Sequence, residues 1–455
     1  MPNAIETFDF LAAYDAAPTD QKYPLVQKWM RESPLPFFAQ LRKERPVLKT
    51  PECVLVANFN DVRDMLSMPK VATVDLYKPK MGVTGPNDGY LMAHDDDALH
   101  YREKSIMQGL LNRDDLPRVR RLVGSAAQNI LAKAGGKMDF VNDYCRKVPV
   151  SLVQSYFGLD GIGQDDLIRW SYWNQYDAFN NQPFDMRSDE DSAIIVAKHD
   201  QASKELVAYI ASLTIRKVVR IKVMDTIWMF LSPVQKLIYR LLGMALPPRH
   251  ETMVMRLYRT KFDKGVDFPL TRAALNAGGF LIGAIETTSQ AVAQIVNFLL
   301  ERPDILRQVK NAAREEDWKA FDAMVWEALR FVPIRPDIFR KMAADYVVGK
   351  GTDYETTIEN GAIVRLLIHS AMFDDHAYED PNAFNPNRIF YHNFAFGFGE
   401  HECLGKYVGM EMIPEMVRHA VLLPELKADG AVSYRNDTFP TFDGPFPERF
   451  DISWG

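Results

Sequence analysis

Apolar residues recur with helical spacing along most of the chain, and runs that alternate in the manner of strands are few. The strand-like runs are VLKTPECVLVANF near the start, YVVGKGTDY after Arg340, and short pieces close to the C-terminus. This pattern predicts a mainly α protein with a small β portion, the β-rich parts lying near residues 45–70 and 340–365. The longest helical pattern follows Thr271, whose hydroxyl can cap it, and runs through RAALNAGGFLIGAIETTSQAVAQIVNFLL until Pro303 stops it. About thirty helical residues span roughly 45 Å, and a helix this apolar on nearly every face has to cross a core. Asn276, Glu286 and Gln290 interrupt it too often for a membrane span. A second helix, FDAMVWEALRFV, ends before Pro333 and sets Glu327 three residues from Arg330, on one face. On its own such a pair reads as a surface ion pair contributing a few tenths of a kcal/mol.

A third pattern carries charge as well as periodicity. Residues 215–250 hold seven Lys or Arg against one Asp. Ser232, Pro233 and Gln235 read as a helix start, Val234, Leu237, Ile238 and Leu241 follow at helical spacing, and Gly243 reads as the stop. A basic amphipathic helix can lie on a membrane surface or dock a partner, or its apolar face can pack on its own core. The rest of the chain is ordinary for a globular protein: 455 residues, 47% hydrophobic, 25% charged, net charge -6. That charge disfavours nucleic acid as a partner. The first residues carry acidic groups and no long apolar run, so no signal peptide, transit peptide or transmembrane anchor is expected there. Three cysteines, Cys53, Cys145 and Cys403, are too few and too scattered for a disulfide framework. A soluble, cytoplasmic protein is the expectation, built as a single domain over 1–455 with a basic insertion at 215–250.

Cys403 sits in FAFGFGEHECLG, among glycines and two residues after His401. A thiolate can bind zinc, attack a carbonyl or ligate iron. Zinc would need further Cys or His at short spacing, and His401 is too close for the usual pattern. A Cys/His nucleophile could use a distant histidine, although no known local signature of that kind surrounds Cys403. Haem iron needs one axial ligand on a tight loop beneath a flat ring, and Gly397, Gly399 and Gly405 let the backbone come close to such a ring. The helical pattern after Gly405 would put the sulfur near a helix N-terminus, whose amides steady a negative charge.

Phe396, Gly399, His401, Cys403 and Gly405 match F-x-x-G-x-H/R-x-C-x-G, and here the chain resembles the cytochrome P-450 family. The resemblance extends from about His100 to the end. GAIETT, Gly283 to Thr288, is similar to the family's small-residue, acid and threonine element on its central helix. EALR resembles the E-x-x-R helix, and FNPNR supplies Arg388 as third member of a structural lock with Glu327 and Arg330. The fold implied is that of the family, a long central helix over a haem held by a cysteine loop. Cys403 would be the axial ligand of haem b. His401, Arg340 and, with His100, Lys104 would hold the propionates; Lys104 stands where the family has arginine, which keeps the charge and loses the bidentate fork. Pro414 is a further departure and implies a kink or restart in the helix after the cysteine.

The resemblance implies a monooxygenase. Gly283 and Ala284 would leave room for oxygen, Thr287 would hydrogen-bond it, and Glu286 would relay protons; alternatively Thr287 and Thr288 bond back to the carbonyl one turn earlier. A peroxide-driven enzyme or a non-catalytic haem sensor are the other readings. No flavin or C-x-x-C cluster is present in the sequence, so electrons would come from a separate ferredoxin or flavodoxin, steered by Arg102, Arg118, Arg120, Arg121 and Lys406. The substrate would be an apolar or amphipathic organic molecule, with Arg335 or Lys78 available to a carboxylate, and 215–250 could touch a membrane surface.

Overall fold

The computed structural model describes residues 8–95, 97–244, 250–263 and 265–455. Helices dominate and the strands are short, as the periodicity predicts. The chain divides into two compact units, each built from separated segments: Met1–His100, Gln182–Arg187 and Gln294–Lys406 in the first, Tyr101–Asn181, Ser188–Ala293 and Tyr407–Gly455 in the second.

The first unit holds the main sheet. Its strands lie in the order Val47–Lys49, Val54–Val56, Ile363–Leu366, Ile338–Met342, Ala72–Thr73. Val54–Val56 and Ile363–Leu366 run parallel and the other pairs antiparallel. Apolar side chains of these strands, among them Val56, Val364 and Leu366, pack with Phe59, Val62 and Met65 from the helix Phe59–Leu66 into one buried cluster that also takes in Phe394 of the cysteine loop. Arg365 is buried here and forms a two-pronged pair with Asp337 at 2.8 Å, with Tyr23 accepting a third bond. Tyr346–Val348 and Thr356–Ile358 form a separate hairpin.

The second unit is built around the helices Gln164–Asn180, Asp189–Leu241 and Leu270–Ala284, with a small sheet of Lys137–Asp139, Asp451–Ser453 and Lys427–Ala428. Three sequence readings are corrected in the helices. The central helix starts at Leu270 rather than after Thr271, and it is not continuous: Leu270–Ala284 and Glu286–Leu300 are separated at Ile285. The cause is visible on the near side of the break, where side chains occupy two carbonyls. Ser171 Oγ donates to the Ile282 carbonyl at 3.2 Å, Gln175 Nε2 donates to the same oxygen, and Thr287 Oγ1 donates to that of Gly283. Side chains that insert into the helical ladder kink or interrupt it.

Nor does a helix begin at Ser232. Asp189–Leu241 runs through Pro233 as one helix capped by the Ser188 side chain, and ends before Gly243 in the left-handed region. The apolar spacing keeps one register across 232, which outweighs a local start signal. Likewise Lys406–Val421 passes Pro414 without a restart. The basic stretch called at 215–250 lies within this long helix as far as Leu241, while residues 245–249 lie outside the described part.

Candidate functional site

The loop carrying Cys403 is shaped by its aromatic residues and glycines. Phe394 is fully buried and stacks on Phe59 at 5.1 Å, and Phe396 packs against Trp326 at 5.4 Å. Between these anchors and the cysteine the chain turns back: the Cys403 amide donates to the Phe396 carbonyl and the Glu402 amide to that of Gly399. Gly399 has φ +72°, and a Cβ there would stand 2.7 Å from the Leu66 carbonyl oxygen, so only glycine fits. A Cβ on Gly405 would lie 3.9 Å from Cys403 Sγ. The result is an exposed Cys403 in no disulfide, three residues before the helix Lys406–Val421.

Glu327 and Arg330 lie on the helix Trp318–Phe331, and the pair is buried, not on the surface. Arg330 Nε and Nη2 donate to the two Glu327 oxygens at 2.9 and 2.8 Å, while Nη1 donates to the Met372 carbonyl. Arg388 Nε donates to the same carboxylate at 3.2 Å and its other nitrogens hold the carbonyls of Glu379, Asp380 and Ala383. The trio ties the helix to the segment leading into the cysteine loop.

Beside that loop stands a cluster of cationic and ring groups. Arg340 is buried, donates to the Phe339 carbonyl at 2.8 Å, and burial holds its guanidinium below the usual range against the pull of Tyr77 and Asp95. His401 has a side chain 6% exposed; neither ring nitrogen is within hydrogen-bond distance of a partner in the described protein, although Nε2 lies 3.6 Å from Asp95 Oδ1. Burial pushes it down to about 4. His100 stacks obliquely on it at 4.9 Å, holds the Leu91 carbonyl through Nδ1 and approaches Glu400 at 3.2 Å through Nε2. Buried polar atoms normally have partners, so the unpartnered ring nitrogens of His401 beside the buried Arg340 cation fit the carboxylates of a bound anionic group. The residues therefore suit a haem bearing propionates, with Cys403 offering the thiolate. Lys104 follows one turn after His100 on the helix Ala98–Leu110 and is buried. Tyr77 and Asp95 carry no motif and join the cluster only through the fold, whereas Glu400 comes with the cysteine loop, next to His401.

In the second unit, the break at Ile285 exposes Gly283, where a Cβ would meet nothing within 4 Å, next to half-buried Ala284 and Thr287. Thr287 gives its hydroxyl hydrogen to the Gly283 carbonyl at 2.7 Å, the alternative that the sequence left open, and keeps oxygen lone pairs to accept with. Glu286 is fully buried and points elsewhere than a simple relay would need. Arg146 Nε and Nη2 donate to it at 3.0 and 3.1 Å, and Arg146 also reaches Glu448 at 3.1 Å. Tyr172 donates to Glu448 at 2.5 Å. Two carboxyl groups thus share one guanidinium. Burial pushes the Glu286 carboxyl up, with Arg146 pulling the other way. A surface cavity of about 390 Å³, lined by Asn142, Arg146 and Tyr172 among others, borders this network. Nothing local in the sequence links Arg146 or Glu448 to Glu286.

Other candidates are already engaged. Lys78 pairs with Asp75 at 2.5 Å and lies 3.5 Å from Asp95; Arg335 is 3.8 Å from Asp337. Of the steering cations, Arg120 pairs with Glu411 and Lys406 with Glu402, both at 2.6 Å, while Arg121 is exposed.

The chain is similar to known proteins in sequence and in fold. The family profile described as Cytochrome P450 matches residues 222–422. Pulcherriminic acid synthase of Bacillus subtilis (strain 168) is 24% identical over 418 residues, 88% of this chain and 90% of that protein. Cytochrome P450 monooxygenase PikC of Streptomyces venezuelae is 23% identical over 388 residues, covering 82% of this chain and 79% of its own length. The crystal structure of CalO2 superposes with a TM-score of 0.70 over 94% of this chain and 97% of its own, at 20% identity.

Proposed function

We propose that this chain, similar to cytochrome P450 enzymes over most of its length, is a monooxygenase of that family that holds haem b through the Cys403 thiolate and inserts one atom of O2 into an apolar or amphipathic organic molecule. Thiolate-ligated haem iron supplies the oxygen-activating chemistry when bound. The observation that carries the reading is the buried His401 ring, with Nδ1 unpartnered and Nε2 no nearer than 3.6 Å to Asp95, beside the Arg340 cation and next to the turn that exposes Cys403. These residues bind and orient the group through its carboxylates, with His100 and Lys104 in support; Phe396, Gly399 and Gly405 shape the turn that offers the sulfur.

The remaining roles fall to the interrupted central helix. Thr287 accepts a hydrogen bond through the lone pairs left by its bond to Gly283, where Gly283 and Ala284 leave the helix surface bare. Burial and the neighbouring Glu448 carboxyl raise the affinity of Glu286 for a proton while Arg146 lowers it, so its carboxyl can take up and give back a proton within the network. Protons enter from the cavity beside Arg146 and Tyr172. In this respect Glu286 is a proton store within an Arg146–Glu448 network and not a carboxylate standing alone. A separate ferredoxin or flavodoxin supplies electrons in the cytoplasm. The test is turnover of a responsive compound with a ferredoxin and its reductase under isotopically labelled O2. One labelled oxygen in the product supports the reading; product whose oxygen comes only from water or from added peroxide contradicts it.

A further inference from the structure

The helix Asp189–Leu241 changes character part of the way along. As far as Ile221 it packs within the second unit, burying Leu206, Ile210, Leu213 and Ile221, and Lys217 pairs with Asp160 at 2.5 Å. From Lys222 to Leu241 no residue is buried. Yet the composition there is not that of a solvated helix. Val223, Ile227, Phe230, Val234, Leu237 and Leu241 recur at spacings of four and three, which lays them on one stripe. All six are between 44% and 76% exposed. The stripe is roughly 27 Å long at the helical rise per residue, and Leu231 and Ile238, also exposed, widen it. Lys222, Lys236 and Arg240 lie on the other side with Ser232 and Gln235, together with Trp228, Met229 and Tyr239, and the segment's single acidic residue, Asp225, is tied to Arg259.

We propose that residues 222–242 dock lengthwise on an anionic lipid surface. A helix with a broad apolar face, aromatic residues on it and Lys or Arg opposite lies in the plane of a membrane interface, and its binding grows with apolar area and anionic lipid. The charge decides between occupants. Pairing this stripe with that of a second copy would bring two cationic helices together without the acidic flanking residues that helix pairs use to match each other. In a chain of net charge -6 the large apolar helix face that is exposed is cationic, and an anionic lipid surface complements it. No helix among the described residues is long and apolar enough to cross a membrane, so the contact is one of surface.

The experiment is co-sedimentation of the full-length, haem-loaded protein with vesicles of phosphatidylcholine, with and without phosphatidylglycerol. The expected result is binding at least about tenfold stronger to the anionic vesicles, falling as salt rises, and reduced to the level of neutral vesicles by F230E/L237E with the haem spectrum unchanged. Replacing Lys222, Lys236 and Arg240 by Gln should remove the preference for anionic lipid. Equal binding to both vesicles, or binding to neither, would overturn the proposal. So would a wild type that is dimeric without lipid and becomes monomeric in F230E/L237E, since the stripe would then be covered by a second copy.

Discussion

Thr287 and Glu286 adjoin in sequence and part in space. The hydroxyl turns back to Gly283 while the carboxyl turns to Arg146. Removing the hydroxyl in Thr287→Ala should leave reductant consumption in place and cut the fraction that ends in product by roughly tenfold or more, measured as product formed per reductant oxidised; an unchanged ratio would deny the threonine its role, and product formed only with added peroxide would favour a peroxide-driven enzyme. Glu286 allows a test by pH. Burial raises its carboxyl above the ordinary 4.5, so the folded protein keeps this proton where the unfolded chain has lost it. Its proton is available below the raised value and is lost as pH rises through it. The turnover rate should therefore fall on the alkaline side, and Glu286→Gln should be slower and lack that limb. The motif announced both residues, but their directions depend on Arg146 and Glu448, which adjacency in sequence does not encode.

At the scale of elements, the apolar period found the central helix and could not find its interruption. Hydrophobic spacing continues smoothly through Ile285; what breaks the ladder is a set of polar side chains, Ser171 and Gln175, brought from another helix. The same limit appears at Ser232, where a local start signal lies inside a helix whose apolar spacing runs on unbroken, and at Pro414, where a local stop signal lies in a helix held by buried Met412, Ile413, Met416 and Val417. The helix Trp318–Phe331 shows the reverse case. Its spacing alone describes a surface pair, and only the resemblance made Glu327 and Arg330 a buried lock, which the structure places at 4% and 1% exposure. Removing the carboxylate leaves the buried Arg330 and the half-buried Arg388 without their shared anion. Glu327→Gln should cost about 3–5 kcal/mol, read from urea unfolding, and little haem-loaded protein should accumulate. Arg307→Gln, at an exposed pair on the neighbouring helix, should leave the midpoint in place.

Over the whole molecule, chemistry and surface follow different rules. The main sheet, the lock and the Phe394 anchor hold the cysteine turn in the first unit, while the interrupted helix and the Arg146 network belong to the second. A short sequence pattern could report the turn because the residues that shape it, Phe394, Phe396 and Gly399, stand close together in the chain, although Phe59, Trp326 and Leu66, which they meet, do not. It could not report the cluster of Tyr77, Asp95, Glu400 and Arg340, whose members come from three distant parts of the chain. Every role proposed for these residues requires that Cys403 present a thiolate to haem iron. The absorption spectrum of the reduced, haem-loaded protein under carbon monoxide tests it directly. A strongly red-shifted Soret band that disappears in Cys403→His while haem is retained is the predicted result; an unshifted band in the wild type, or a shifted band that survives the substitution, would contradict it.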